Sequence, residues 1–250
     1  MDLVRLTQKK QRLDGFRPLP PALVRNLDDW FRIELTYTSN AIEGNTLTRQ
    51  ETALVVEKGI TIGGKALAEH LEATNHAKAL DWIHAQIARA PSASAAQITE
   101  RDILRIHEII LAGILDEHAG RYRDIQVRIA GAEVILPNPR KVPALMDEFV
   151  RWLQTAAPAL HPVELAAEAH YRLVSIHPFV DGNGRTARLL MNLILLMGGY
   201  PPAIIRKEDR LAYLASLEKR QLGGSGDDYL NLIADAVDRS LDIYLEALEK

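Results

Sequence analysis

Residues 185–197 place the strongest constraint on the fold, because apolar side chains cover this segment on nearly every side. A helix with that pattern has to be buried, so the segment predicts a central helix enclosed by others. It is far shorter than the roughly 20 residues that a membrane span needs, so we expect a core helix and no membrane partner. Gly198 and Gly199 follow directly and end the segment.

Helical spacing of apolar residues also dominates the rest of the chain. Thr48 with Glu51 forms a capping-box pattern that predicts the start of one helix, and Thr99 with Asp102 predicts another that runs through Leu115. Further helices are predicted over residues 28–37, 66–87, 145–153, 163–175, 208–220 and 227–249. The fold class that follows is all-α.

One segment departs from this pattern. Residues 126–136 carry β-branched side chains on both sides of Ala130 and Gly131, which is typical of a short β-hairpin. We therefore predict a helical bundle around the buried central helix, with one β-hairpin added.

The composition narrows the classes of function. The chain has 250 residues, of which 47% are hydrophobic, so a sizeable core is expected. It has no cysteine, which excludes disulfides, thiol nucleophiles and cysteine-ligated metal sites. Its formal net charge is −3, whereas a nucleic-acid-binding protein usually carries an excess of basic residues, so we expect no nucleic-acid partner. Residues 1–11 lack the apolar stretch of a signal peptide, so we expect a cytoplasmic protein.

The residues with the clearest chemical meaning lie at 177–188, HPFVDGNGRTAR. Gly182 and Gly184 let the backbone turn and leave amide N–H groups open where the central helix begins. Such a helix start attracts anions, because the free N–H groups and the helix dipole both favour a phosphate. Arg185 and Arg188 lie three residues apart on one helix face and can hold successive phosphates.

Two more residues of this loop suit phosphate chemistry. Asp181 offers a hard oxygen ligand that can hold Mg²⁺ against phosphates, and His177 suits general-base work near neutral pH. The run DGNG is also compatible with part of an EF-hand calcium loop. In that arrangement the last ligand position falls on Asn192, inside the apolar segment, so the calcium interpretation fails.

This stretch resembles the signature of the Fic family, H-P-F-x-[DE]-G-N-G-R-x-x-R, at every fixed position. Fic enzymes transfer the AMP part of ATP to a hydroxyl group of a protein. The resemblance implies the Fic fold, ATP as a substrate and Mg²⁺ or Mn²⁺ as the ion. It also implies a protein partner whose Ser, Thr or Tyr hydroxyl accepts AMP while pyrophosphate leaves.

The resemblance further implies roles for individual residues. His177 takes the role of the base, and Asp181 that of the metal ligand. The nucleotide is implied to bind through Gly182, Asn183, Gly184, Arg185 and Arg188, with Tyr213 and Gln221 beside the adenine.

A second motif lies nearer the start of the chain. Residues 39–45, SNAIEGN, resemble the inhibitory motif of the family, [ST]-x-x-x-E-[GN]. The pattern is loose, and Glu43 followed by Gly44 also suits an ordinary helix end. Beside an intact signature, the resemblance implies that Ser39 and Glu43 lie on an inhibitory helix and that Glu43 pairs with Arg188. A carboxylate that occupies a guanidinium excludes the γ-phosphate from it, which agrees with this role.

The resemblance extends from about Phe31 to Arg220, and it is closest to the compact branch that includes the animal endoplasmic-reticulum enzyme. It implies an N-terminal helical region at 1–60 with the inhibitory helix, a Fic core at 61–222 and a C-terminal helix at 223–250, all in one structural unit.

The predicted hairpin resembles the family's flap, which pairs with an extended target segment. The flap residues are Val127, Arg128, Ile129, Ala130 and Gly131. A homodimer is a further partner that the resemblance allows.

Several alternatives stay open at this point. The same residues would serve the removal of AMP from a modified protein, with Glu43 activating a water molecule. A silent nucleotide-binding module would bind ATP without transfer. The signature reads phosphates and not the base, so transfer of UMP or phosphocholine is a further alternative.

Other motif-like features are interpreted as structural. Residues 59–66 nearly form a Walker A motif, but Ala66 lacks the hydroxyl that holds Mg²⁺. His107 with Glu108 does not begin a zinc motif, because Leu111 stands where the second histidine is needed. Three residues that a metal cluster would need are likewise interpreted as structural: His161, Glu168 and His170.

Overall fold

A computed structural model describes residues 2–90 and 92–249. Over these residues the chain forms ten α-helices and no β-strand. The helices are α1 (Leu3–Asp14), α2 (Pro21–Ile42), α3 (Arg49–Lys58), α4 (Leu67–Arg89), α5 (Glu100–Leu111), α6 (Val142–Ala156), α7 (Pro162–Ile176), α8 (Asn183–Met197), α9 (Arg210–Gln221) and α10 (Asp227–Glu249).

Helix α8 is the centre of the bundle, as its all-round apolar pattern predicted. It packs along α7 and also contacts α2, α4 and α5. Leu189, Leu190 and Met191 are each at most 1% exposed. Because α8 begins at Asn183, its first turn directly follows the glycine loop, so the open amide groups of the loop face a helix start.

The two ends of the described chain meet on one side of the bundle. Helix α1 packs on α10, and Lys9 lies 2.7 Å from the carboxylates of both Asp238 and Asp242. Helix α10 in turn packs on α7 and α9. The sequence did not predict α1, because only Leu6 and Leu13 of this helix are buried and the rest of its pattern is polar.

Local capping determines where two helices begin. Thr48 accepts a hydrogen bond from the Glu51 amide at 3.2 Å, and the Glu51 carboxylate accepts one from the Thr48 amide at 2.7 Å. Thr99 and Asp102 form the same reciprocal pair at the start of α5. Both predicted starts are confirmed, but α5 ends at Leu111 instead of Leu115. Ala112 leaves the helical conformation with ψ 126°, and Gly113 continues the turn with φ +73°.

The predicted β-hairpin over residues 126–136 is wrong in its strand pairing. Gly131, with φ +78°, forms the predicted turn, and the Ala132 amide donates to the Ile129 carbonyl at 3.2 Å. No ladder continues from this turn within the described residues. The physical reason is exposure, since Ile135 is 88% exposed and its face packs on no core that would stabilise paired strands. We refer to residues 126–136 as the flap.

No helix within residues 2–90 and 92–249 is long and apolar enough to cross a membrane.

The central position of α8 leads to a stability prediction. Leu190→Ala removes a fully buried side chain, and we expect the free energy of unfolding to fall by about 2–5 kcal/mol. Leu211→Ala is the matched control, because Leu211 is 77% exposed and its loss should change the free energy by less than about 0.5 kcal/mol. Urea denaturation of both variants measures the difference, and equal losses would contradict a buried central helix.

Candidate active site

The end of α7 places His177 at the mouth of a cavity. The His177 amide donates to the Leu173 carbonyl at 2.9 Å, and the backbone then turns with φ +51°. His177 is the one non-glycine residue with positive φ in the described chain. A histidine in the left-handed conformation is uncommon and persists where neighbouring residues hold it there. The turn directs the imidazole away from the path of α7.

The glycine loop that follows is fixed by side chains from within and behind. The Asn183 side chain accepts from the Phe179 amide and donates to the Phe179 carbonyl, both at 2.9 Å. His107 stacks on the Phe179 ring at 3.6 Å between centroids, and its Nε2 donates to the Asp181 carbonyl at 3.0 Å. Burial lowers the pKa of His107 to about 4, so this ring stays neutral and acts as a fixed donor. The loop is therefore held both by a side chain of its own and by His107 of α5.

The imidazole of His177 has the form that a general base needs. Its Nδ1 lies 3.3 Å from the Val174 carbonyl, which accepts the Nδ1 proton and leaves Nε2 with its lone pair. Burial lowers the pKa of His177, and the positive charge of Arg123 lowers it further. The ring is consequently neutral at neutral pH and able to accept a proton.

Arg188 of α8 contacts the C-terminal end of α2, where the motif with Ser39 and Glu43 lies. Its guanidinium donates to the Glu43 carboxylate at 2.6 Å, to the Ser39 hydroxyl at 2.9 Å and to the Ser39 carbonyl at 3.0 Å. Burial lowers the pKa of Arg188, but the charge and hydrogen bond of Glu43, together with Tyr213, outweigh burial, so the pKa is raised. Arg188 is 4% exposed and the Glu43 side chain is 38% exposed, so the guanidinium is buried while the carboxylate that it binds is accessible to water.

Tyr213 lines the cavity, and its hydroxyl bonds to the buried His170 in the protein core. The Tyr229 hydroxyl donates to the Ala167 carbonyl at 2.9 Å, so its oxygen accepts the Nδ1 proton of His170 at 2.8 Å. His170 Nε2 then accepts from the Tyr213 hydroxyl at 2.7 Å. Burial, with the charge of Arg188, lowers the pKa of His170 to about 3, which keeps this chain of donors in one direction.

Arg185 lies behind the cavity and is committed to two carboxylates. It donates to Glu72 of α4 and to Asp181, each at 2.9 Å. Glu72 also accepts from the Asn45 side chain at 2.9 Å, which ties the segment after α2 to α4. Sequence reasoning missed Glu72, because nothing in the sequence distinguishes it from other glutamates on a helix.

Asp181 is the one predicted metal ligand, and its surroundings fit a lightly held ion. Its side chain is 52% exposed, and one oxygen, Oδ2, accepts from Arg185. No group of three or more acidic or histidine side chains suited to a metal occurs in residues 2–90 and 92–249. A single open carboxylate suits Mg²⁺, which in nucleotide sites takes most of its other ligands from phosphates and water.

The cavity brings together some of the predicted residues and leaves others behind it. Its volume is about 230 Å³. The predicted residues that line it are Glu43, Ile129, Ala130, Gly131, His177, Gly184, Arg188, Tyr213 and Gln221. The predicted residues outside its lining are Ser39, Val127, Arg128, Asp181, Gly182, Asn183 and Arg185. Sequence reasoning missed the apolar wall of Val174, Leu214 and Leu217, which the helical spacing of α7 and α9 could have indicated.

Comparison with known proteins agrees with this geometry. The Fic/DOC family model matches residues 97–195. A Fic domain containing signaling protein from Bacteroides thetaiotaomicron has a crystal structure that is 31% identical, with a TM-score of 0.86, over 98% of both chains. The chain belongs to the Fic/DOC family.

Animal members of the Fic/DOC family are also similar to this chain. The crystallised part of Fic-1 from C. elegans is 33% identical, with a TM-score of 0.86, over 98% of this chain and 72% of that one. The protein adenylyltransferase Fic of Drosophila grimshawi is 38% identical over 248 residues. That match covers 98% of this chain and 49% of the fly protein, so the chain spans about half the length of the curated relatives it matches.

The buried histidines around the two arginines lead to a pH prediction. Burial, with the charges of Arg188 and Arg185, lowers the pKa of His76 to about 3, and His107 and His170 are lowered as well. In the unfolded chain these histidines bind protons below a pH of about 6.5, whereas in the folded chain they stay neutral at that pH. We therefore expect the free energy of unfolding to fall from pH 6.5 to 5, by up to about 1.4 kcal/mol per pH unit for each ring.

Urea denaturation at pH 7.0, 6.0 and 5.0 measures this slope. His84 is exposed, so His84→Gln should leave the slope unchanged, whereas His76→Gln should make it shallower. A free energy of unfolding that stays constant over this pH range would contradict the burial of neutral imidazoles.

Proposed function

We propose that this Fic chain transfers AMP from ATP to a Ser, Thr or Tyr hydroxyl of a protein target and that Glu43 restrains the reaction. One observation carries the proposal. The carboxylate of Glu43, the residue directly after α2, binds the buried guanidinium of Arg188 at 2.6 Å, in the same cavity as a neutral histidine and the start of α8. The names of the fly relatives, protein adenylyltransferase Fic, support the same chemistry.

His177 acts as the general base. Its Nε2 takes the proton of the target hydroxyl, and the oxygen attacks the α-phosphorus of ATP. A new phosphorus–oxygen bond forms, the bond to the bridging oxygen breaks, and pyrophosphate leaves with that electron pair. The bond between Nδ1 and the Val174 carbonyl supports this role, because it fixes the tautomer and the plane of the ring.

The start of α8 binds the phosphates. A Cβ added at Gly184 would collide with the Glu43 carboxylate and lie 3.0 Å from Arg188, so an anion already rests against this backbone. The amides of Gly182, Asn183 and Gly184 supply donors at the helix start. Arg188 takes the terminal phosphate once Glu43 leaves, and Arg185 orients Asp181 beside the inner phosphates.

Asp181 would hold Mg²⁺ or Mn²⁺, which when bound neutralises phosphate charge during transfer. The Arg185 bond leaves Oδ1 of Asp181 free for this purpose. The side chain of Asn183 is fully used by Phe179, so in this proposal its contribution comes from its main chain.

The flap docks the target. Ile129, Ala130 and Gly131 line the cavity opposite the catalytic loop, and their main chain is not paired in a ladder. An extended target segment can therefore add to the flap through main-chain hydrogen bonds, which would hold its hydroxyl near His177. Tyr213 and Gln221 would border the adenine, and Gln221 is oriented by its bond to Ser175 at 3.2 Å.

The proposal assigns a role to each part of the chain. Residues 1–60 carry the restraint on α2, residues 61–222 carry the catalytic and docking residues, and residues 223–250 support them. The packing of α10 on α7 and α9 supports this assignment, because it holds the helix that ends at His177.

Transfer of label from α-³²P-ATP tests the proposal. With Mg²⁺ and a cell lysate, Glu43→Gly should label protein at least about tenfold more than the wild type, because Arg188 becomes free to bind phosphate. Adding His177→Ala to that variant should abolish the label, because the base is lost. Electrophoresis and autoradiography measure both.

Glu117→Gly is the matched control, since Glu117 is 78% exposed and does not line the cavity, and it should label like the wild type. Equal labelling by wild type and Glu43→Gly would contradict the restraint. Label that persists without His177 would contradict the role of the base. No label from any variant would contradict AMP transfer and favour the removal of AMP, which incubation with a modified protein would then test.

A further inference from the structure

Arg123 is a buried arginine that the chemistry above leaves unused. It precedes the flap and is 3% exposed. An arginine buried to this degree normally pairs with a carboxylate, since the charge is costly without one. Within residues 2–90 and 92–249, no carboxylate lies within 4.0 Å of its guanidinium.

All its hydrogen bonds go to main-chain carbonyls near the cavity. Nε donates to the His177 carbonyl at 2.8 Å. Nη1 donates to the Ile125 carbonyl at 3.0 Å, and Nη2 donates to the Pro137 carbonyl at 2.6 Å. The Arg123 amide donates to the Pro178 carbonyl at 2.9 Å.

These carbonyls belong to two structures that the reaction has to align. Ile125 and Pro137 stand directly before and after the flap, so one guanidinium joins both of its ends. His177 and Pro178 form the left-handed turn that presents the imidazole. The flap lacks a ladder, and the bond from the Gln126 side chain to the Leu136 carbonyl at 3.1 Å is its other cross-link at this end. Arg123 therefore closes the flap and holds the turn at the same time.

We propose that Arg123 is a positioning residue that fixes the base of the flap relative to His177. A target hydroxyl bound along the flap and Nε2 of His177 then keep one distance, because both are attached to the same planar fork. A lysine cannot replace this fork, since it has a single nitrogen and no fixed geometry. The reaction in this inference rests on the proposed function, but the linkage between flap and turn does not.

Charge offers a readout that a purely structural arginine would not give. The charged groups that act on His177 are Arg123, which lowers its pKa, and Glu43 and Asp181, which raise it. Arg123→Met removes both the fork and the charge, so the pKa of His177 should rise and the flap should loosen. Arg123→Lys keeps a charge but loses the fork, so the flap should loosen while the pKa moves less.

Nuclear magnetic resonance on the full chain measures both effects. The His177 ring is titrated in wild type, Arg123→Met and Arg123→Lys, with His177→Asn to assign its signal. Amide hydrogen exchange is followed at Ala132 and Glu133 of the flap, whose amides donate to the Ile129 carbonyl and the Glu218 carboxylate, and, as an internal reference, over 186–195 in α8. Arg121→Met is the matched control, because Arg121 lies two residues away and is exposed.

We expect exchange at the Ala132 and Glu133 amides to accelerate about tenfold or more in both Arg123 variants, while exchange in α8, and in Arg121→Met, stays unchanged. Exchange in the flap that matches the wild type would overturn the inference, and so would an unmoved His177 pKa in Arg123→Met. If Arg123→Met fails to fold, as judged by loss of protection in α8, Arg123→Lys decides the question through the flap alone.

AMP transfer is the last measurement that tests the positioning role of Arg123. In the Glu43→Gly chain, Arg123→Lys should lower AMP transfer to lysate protein about tenfold or more, while the dissociation constant for ATP changes less than about twofold. Unchanged transfer would overturn the positioning role. Absence of transfer with Arg123 intact would contradict the proposed function instead, and the resonance measurements would still test the linkage.

Discussion

Two guanidinium groups on a buried helix must each have a partner, and much of this structure follows from that requirement. Arg185 and Arg188 are 2% and 4% exposed on α8, and an unpaired charge at such depth would cost several kcal/mol. Glu72 and Asp181 pair with the charge of Arg185, although its buried Nε has no hydrogen-bond partner within the described residues. Glu43 and Ser39 bind Arg188. The partners come from α2, α4 and the glycine loop, so the need to pair two charges also fixes these elements around α8.

The same requirement gives a physical account of the restraint that we propose for Glu43. A carboxylate and a phosphate both accept the hydrogen bonds of a guanidinium. In the proposed function, Arg188 would therefore exchange the Glu43 carboxylate for a phosphate and keep an anionic partner in both states. What determines the resting state is the difference in free energy between the two pairings. Ser39 is uncharged, and its hydroxyl and carbonyl oxygens accept hydrogen bonds that orient Arg188 toward the Glu43 carboxylate.

Sequence reasoning succeeded where a local rule has a strong physical basis. The apolar pattern of α8, the capping box at Thr48 and the bounds of α10 follow from short-range chemistry and burial. It failed at the flap, because β-branched residues indicate strands only if one face is buried. It could not find Glu72, whose role depends on contact with Arg185 across 113 positions of sequence. Nor could it show that the loop uses both polar atoms of the Asn183 side chain, whose bonds to Phe179 depend on how the loop folds.

The central claim is that Glu43 stands where the terminal phosphate of ATP would bind. Calorimetry with ADP and with ATP, on the wild type and on Glu43→Gln, tests it most directly. If the claim holds, removing the charge strengthens ATP binding about tenfold or more, equivalent to about 1.4 kcal/mol, and changes ADP binding little. Equal strengthening for both nucleotides would contradict it, because the carboxylate would then oppose the whole nucleotide and not its last phosphate.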